Sequence, residues 1–136
     1  MNVLPKKSWI STTPSSKKYL SRVFTYKLSS RLDPGKYEVA FEIPLSKSDD
    51  SEPDVVVFDR MDNGRSVMAL EICKREDIHD MLIIARDLME KSSLLDFFLY
   101  DNESGNWYNI RKAALGYHIS SNTMFAGIPL HKLDRE

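Results

Sequence analysis

A chain of 136 residues, 42% hydrophobic and 29% charged, is long enough for one soluble globular domain with a buried core. Its net charge of −1 excludes a strongly basic or acidic protein, and its single cysteine, Cys73, excludes an intrachain disulfide or a multi-cysteine zinc site. No apolar run has the length of a signal peptide or a membrane span, so we expect a cytoplasmic protein that does not enter a membrane.

The net charge hides an uneven distribution along the chain. Residues 1–32 contain seven Lys or Arg and no acid. Because the whole chain has a net charge of −1, residues 33–136 together carry a net charge of −8. A basic N-terminal segment can contact nucleic-acid phosphates, or it can be a solvated helix face that pairs with the acidic remainder. Composition alone leaves both interpretations open.

The first helix is predicted by its apolar spacing. Residues 1–14 are polar and interrupted by prolines, which indicates an N-terminal arm, and residues 15–136 then form a single domain. Residues 14–16 offer an N-cap. The apolar face consists of Leu20, Val23, Phe24, Leu28 and Leu32. The basic residues Lys17, Arg22 and Arg31 are expected on another face, and an Asp-Pro-Gly turn at residues 33–35 ends the helix.

Three strands are predicted next. Residues 37–43 alternate apolar with polar or small side chains, the pattern of a half-buried strand. After a polar loop, residues 54–59 form a valine-rich strand that is expected to be buried on both faces. An Asp-Asn-Gly turn at residues 62–64 predicts a hairpin, so residues 67–73 return as the third strand.

The pattern then changes to a helix from about Glu76 to Lys91. Its apolar stripe consists of Ile78, Met81, Leu82, Ala85, Leu88 and Met89. A fourth strand at residues 94–100 makes this helix a crossover connection, a fifth strand follows around residues 107–110, and residues 124–130 add a short last element. The predicted class is therefore α/β (α+β), a mixed sheet flanked by helices in the order α-β-β-β-α-β-β.

Two carboxylates mark neighbouring strand ends. Asp54 opens the second strand and Glu71 lies near the end of the third, so the hairpin brings both to one edge of the sheet. Two close carboxylates repel each other unless a cation or proton lies between them. Mg²⁺ suits an oxygen-only site with waters and a substrate phosphate. The alternative is that Asp54 caps a turn and Glu71 reaches solvent.

These elements together resemble the PD-(D/E)xK nuclease superfamily, and within it the Uma-type family of bacterial restriction endonucleases. The resemblance is carried by Pro53-Asp54, the hairpin, Glu71, the following helix and the aromatic strand at residues 96–101. Without a gap, the family's glutamate falls on Glu71 and its last aromatic strand on residues 96–101. Residues 126–130 are similar to the family's Pro-Gly-apolar ending, so the resemblance spans roughly residues 15–133.

The resemblance implies a restriction-endonuclease-like fold and hydrolysis of phosphodiester bonds in DNA. Asp54 and Glu71 would be catalytic metal ligands, with the backbone carbonyl of Ile72 as a third ligand and Mg²⁺, or alternatively Mn²⁺, as the ion. Glu42 is either an additional outer acid or a plain exposed residue. A homodimer would supply the two sites that cutting of both DNA strands needs.

The chain departs from this family at the lysine that polarises the attacked phosphate or helps to activate water. Its usual position, two residues after the glutamate and on the same face, is Cys73. The family's alternative Asp and Lys positions on the next helix fall on Met81 and Ala85, within the apolar stripe.

Two basic residues are candidates for the missing lysine. Lys74 lies at the strand end, where a long side chain could turn inward, and Arg86 is one step around the helix from Ala85. The alternative for each is a solvated surface charge, and this alternative is the favoured one for Arg86. We therefore expect a Mg²⁺-dependent DNA endonuclease using Asp54, Glu71 and Lys74, or a catalytically inactive binding or assembly protein of the same fold.

Overall fold

The computed structural model describes residues 17–41 and 53–135. The elements in chain order are helix α1 (Lys17–Arg31), strands β1 (Tyr37–Phe41), β2 (Val55–Asp59) and β3 (Arg65–Cys73), a 3₁₀ turn (Arg75–Asp77), helix α2 (Ile78–Glu90), strands β4 (Asp96–Asp101), β5 (Trp107–Ala113), β6 (Gly116–Ser120), β7 (Met124–Phe125) and β8 (Ile128–Pro129), and a 3₁₀ helix (Leu130–Arg135). The predicted arm, the N-cap and Glu42 lie outside the described residues.

Strands β1 to β6 form one sheet in which the spatial order is the chain order. Neighbouring strands are antiparallel except β3 and β4, which run parallel because α2 returns the chain across the sheet between them. Strands β7 and β8 form a separate small pair. The predicted α+β class, with a mixed sheet and flanking helices, is confirmed.

The turn between β2 and β3 forms where the sequence predicts it. Asn63 and Gly64 both have positive φ angles, 57° and 67°, which suit an Asn-Gly hairpin turn. A bulge between Val57 and Phe58 shifts the register of the two strands. On the side of the bulge away from the turn, Val55 pairs with Leu70. This register brings the residue before β2, Asp54, alongside the end of β3.

Two apolar layers cover the sheet. Helix α1 packs on one face through buried residues at helical spacing, Leu20, Phe24 and Leu28, over the β3 side chains Met68, Leu70 and Ile72. Helix α2 packs on the other face through Ala85, Leu88 and Met89, over Ala69 and Cys73. The buried side chains of β3 from Met68 to Cys73 therefore alternate between the two faces, and Val55, Val56 and Val57 are fully buried as expected for a strand covered on both faces.

The sixth strand, Gly116–Ser120, was missing from the prediction. It is an edge strand whose side chains are exposed or half-buried, so it carries no long apolar run. No helix in the described part of the chain is long and apolar enough to cross a membrane.

Candidate functional site

Asp54 and Glu71 meet at the open end of the β2–β3 hairpin. The Asp54 N–H donates to Glu71 Oε1 at 3.1 Å, and the Ile72 N–H donates to Asp54 Oδ2 at 2.7 Å. Asp54 is only 5% exposed, and Glu71 is half-buried. Backbone donors on both strands thus orient the two acids that the sequence predicted to converge.

A lysine from helix α1 contacts both acids. Lys17 Nζ lies 2.8 Å from Glu71 Oε2 and 3.7 Å from Asp54 Oδ2. Although its side chain is 53% exposed, Lys17 does not lie on a different face from the apolar residues of α1, contrary to the sequence prediction. Lys17 precedes the buried residues Ser21 and Phe24 by four and seven positions, so it continues the sheet-facing stripe of α1. That spacing was the signal in the sequence that could have found Lys17.

The electrostatics of this cluster keep Lys17 positively charged. Burial works to lower the pKa of Lys17, but the hydrogen bond to Glu71 and the charges of Asp54 and Glu71 outweigh it, so the pKa is raised. Since two carboxylates so close together need a cation or a proton, Lys17 supplies the cation in this arrangement.

Cys73 occupies the position where the resembled family has its lysine. The residue is buried, and burial, followed by the charges of Glu71 and Asp101, raises the pKa of its thiol to about 12. The thiol is therefore neutral at physiological pH. It therefore does not supply the positive charge of the missing lysine.

The two basic residues predicted to replace the missing lysine lie away from the acids. Lys74 is exposed at the start of the 3₁₀ turn, and within the described residues it makes no ion pair with either carboxylate. Arg86 places its guanidinium 5.2 Å from the ring of Tyr117, on the edge strand β6, three strands from β3. The catalytic role of Lys74 stays a prediction, whereas contact with the acids belongs to Lys17.

The turn after β4 supports the same edge of the sheet. Asp101 is fully buried and accepts hydrogen bonds from the Glu103 N–H at 2.9 Å and from the Ser104 hydroxyl at 2.6 Å. Burial would raise the pKa of Asp101, but the hydrogen bonds from Ser104 and Glu103 outweigh it and lower the pKa. The Asn102 N–H also donates to the Cys73 carbonyl at 3.1 Å. Asp101 therefore holds the turn beside the end of β3.

The donor set at Asp54 and Glu71 fits a hard, hydrated cation better than zinc. No group of three or more His, Cys, Asp or Glu that could hold a metal occurs in residues 17–41 and 53–135. Zinc sites normally use three or four protein ligands, including His or Cys, whereas Mg²⁺ is commonly held by one or two carboxylates with waters and substrate phosphates. Carboxylate oxygens accept more than one interaction. The backbone hydrogen bonds to Asp54 and Glu71 therefore orient these groups without excluding Mg²⁺.

No family model matches the sequence, and no curated protein matches it closely enough to show a relationship. The likeness to the Uma-type nucleases therefore depends on the residues and spacings quoted above.

Proposed function

We propose that this protein is a Mg²⁺-dependent nuclease that hydrolyses phosphodiester bonds in DNA, with Mn²⁺ as an alternative ion. The carrying observation is that Lys17 Nζ lies within 4 Å of carboxylate oxygens of both Asp54 and Glu71. An acid pair beside a protonated lysine combines the two charges that phosphodiester hydrolysis uses. The carboxylates hold a cation, and the ammonium stabilises negative charge on the phosphate.

In this proposal the acids and the lysine have different roles. Asp54 and Glu71 hold the ion, with the carbonyl of Ile72 as a further ligand. When bound there, the ion would supply activation of water and neutralisation of charge on the phosphate. The Lys17 ammonium would leave Glu71 Oε2 for a non-bridging phosphate oxygen, the role that the sequence predicts for Lys74.

The restriction-endonuclease-like fold belongs to the same proposal. It is supported by the parallel β3–α2–β4 crossover and by the acids at the adjacent ends of β2 and β3. The sequence resemblance to the Uma-type family supports it independently of the three-dimensional structure.

One observation favours a second function, that of a catalytically inactive binding or assembly protein. Lys17 already neutralises Glu71 at 2.8 Å, so the acid pair is stabilised without a metal. In that case the cluster is a structural ion pair that remains after loss of the family's lysine, and the protein binds DNA or a partner without cutting.

Metal titration and DNA cleavage together test the proposal. We expect wild-type protein to bind Mg²⁺ or Mn²⁺ in isothermal titration and to cut DNA in a reaction that EDTA stops. Asp54→Asn should weaken both, and Asp62→Asn, in the exposed hairpin turn, is the matched control. Metal binding without cleavage would favour the catalytically inactive binding or assembly protein. Absence of metal binding by the wild type would rule out the metal-dependent nuclease.

A further inference from the structure

An open cavity of about 530 Å³ lies between the β4–β5 turn and the C-terminal 3₁₀ helix. Its lining includes the aromatic residues Tyr100, Trp107 and Tyr108 and the polar residues Asn106, His131 and Asp134. A cavity of this size falls in the range of small-molecule sites, which combine apolar walls with a few polar groups.

One lining residue of the cavity, Tyr100, lies on the strand beside the end of β3 that carries Glu71. Tyr100 on β4 is the register partner of Ile72 on the parallel strand β3, at the usual strand separation of about 4.8 Å. The Ile72 N–H in turn binds Asp54 Oδ2. A phosphate at Lys17 and an adjacent base in the cavity are therefore within the reach of one short stretch of a nucleic-acid strand.

The aromatic wall is fixed in place. The rings of Tyr100 and Trp107 lie 4.7 Å apart at 33°, and the ring of Phe24 packs edge-on against both, at 5.8 Å and 5.6 Å. Phe24 is itself fully buried on α1. Because these rings hold one another, the wall is preorganised for a flat heteroaromatic ligand.

The polar groups of the cavity suit a base rather than a phosphate. His131 Nδ1 lies 2.6 Å from Thr123 Oγ1, which fixes the imidazole at the rim, and Asn106 adds an amide. Asp134 adds a negative charge, and no Lys or Arg lines the cavity within the described residues. A phosphate would be repelled by Asp134 and attracted to Lys17, whereas a base edge can hydrogen-bond to these groups.

We propose that this cavity holds a base of single-stranded DNA next to the phosphate bound at Lys17, Asp54 and Glu71. The inference rests on the proposed nuclease function and adds its substrate class, an unpaired strand or end. A base paired in a duplex cannot enter such a cavity without leaving its stack. A monomer is sufficient for cutting one strand.

The test uses Trp107 as its own reporter. A Trp9→Phe background leaves Trp107 as the only tryptophan of the chain. In Ca²⁺, to suppress cleavage, this protein is titrated with an oligothymidylate and with an abasic strand of the same length and charge. We expect the oligothymidylate to change Trp107 fluorescence and to bind about tenfold more tightly, as one stacked base would.

Variants of the wall complete the experiment. Tyr100→Leu should abolish the preference for the strand with bases, while Tyr26→Leu, at an exposed tyrosine on α1, should keep it. If circular dichroism shows that Tyr100→Leu does not fold, His131→Ala at the rim takes its place and should reduce the preference. Equal affinity for both strands, unchanged fluorescence, or a preference that survives in the folded wall or rim variant would overturn the base site.

Failure of this inference is distinguishable from failure of the nuclease proposal. Metal-dependent cleavage without any discrimination between the two strands removes the base site and leaves the nuclease. A preference for bases that depends on Tyr100, in a protein that never cuts, keeps the cavity as a binding site and removes the nuclease.

Discussion

The Lys17 ammonium lies 2.8 Å from Glu71 Oε2 and so joins two residues that are 54 positions apart in the chain. The contact ties helix α1 to the end of strand β3, where the Asp54 N–H, just before β2, already donates to Glu71 Oε1. Helix α1 therefore delivers the positive charge that the position two residues after Glu71 lacks, because that position carries the neutral thiol of Cys73.

Replacing Lys17 should separate metal binding from cleavage. The ammonium competes with a cation for Glu71, so Lys17→Met should tighten Mg²⁺ or Mn²⁺ binding by about fivefold, the worth of a partly exposed ion pair. The same variant should lose cleavage. Isothermal titration measures the affinity, and Lys18→Met, at the exposed neighbouring position, is the control. A weaker metal affinity in Lys17→Met would contradict this competition.

The Lys17 cluster should make stability sensitive to alkaline pH. The pKa of Lys17 is raised above 10.5 in the folded protein, because the interactions with Glu71 and Asp54 outweigh burial. The folded state thus holds this proton more tightly than the unfolded state. Its contribution to stability is complete below pH 10.5 and is lost as the pH rises through the folded-state pKa. Between pH 8 and pH 11, the urea midpoint of unfolding should fall less in Lys17→Met than in wild type. An equal fall in the two proteins would contradict the prediction.

The thiol of Cys73 should be unreactive in the native protein. Its pKa of about 12 leaves almost no thiolate at pH 8, and the side chain is buried. A thiol-specific chromogenic reagent should therefore modify the protein slowly, and rapidly after unfolding in guanidinium chloride. Because the chain has no other cysteine, one rate reports on this site alone. Fast modification of folded protein would show that the end of β3 is open.

Phe24 should be essential to the stability of the α1 face. Its ring is fully buried against Tyr100 and Trp107, so Phe24→Ala should lower the free energy of unfolding by about 3–5 kcal/mol. Tyr26→Ala, two residues away and 74% exposed, should change it by less than about 0.5 kcal/mol. Urea unfolding followed by circular dichroism compares them, and equal losses would contradict this packing.

Local patterns were sufficient to predict most of the sheet. The valine run of β2, the Asn-Gly turn and the alternation of β3 each determine a local structure, and together they bring Asp54 to Glu71. Edge strand β6 was not predicted because few of its side chains are buried. Hydrophobic periodicity indicates a strand only where one face of it is buried. A buried hairpin such as β2–β3 can thus be predicted from the sequence more readily than an exposed edge strand.

The partner of the acids was not visible to the same reasoning. Lys74 is a candidate because it is close to Glu71 in sequence. In the structure, however, β3 ends at Cys73, and Lys74 begins an exposed turn. Lys17 reaches Glu71 only because α1 packs across the sheet, which is a long-range consequence of burying Leu20, Phe24 and Leu28. A charged residue on an apolar stripe was the available signal.

The most direct test of the account is the Mg²⁺-dependent rate of cleavage of single-stranded DNA by wild type, Lys17→Ala and Lys74→Ala. Removal of a group that stabilises charge at the phosphate should slow Lys17→Ala by about 100-fold or more. Lys74→Ala should stay close to wild type, since Lys74 makes no ion pair with either acid in the described part of the chain. A wild-type rate in Lys17→Ala would contradict the role of Lys17, and an EDTA-resistant or absent reaction in the wild type would contradict the metal-dependent nuclease.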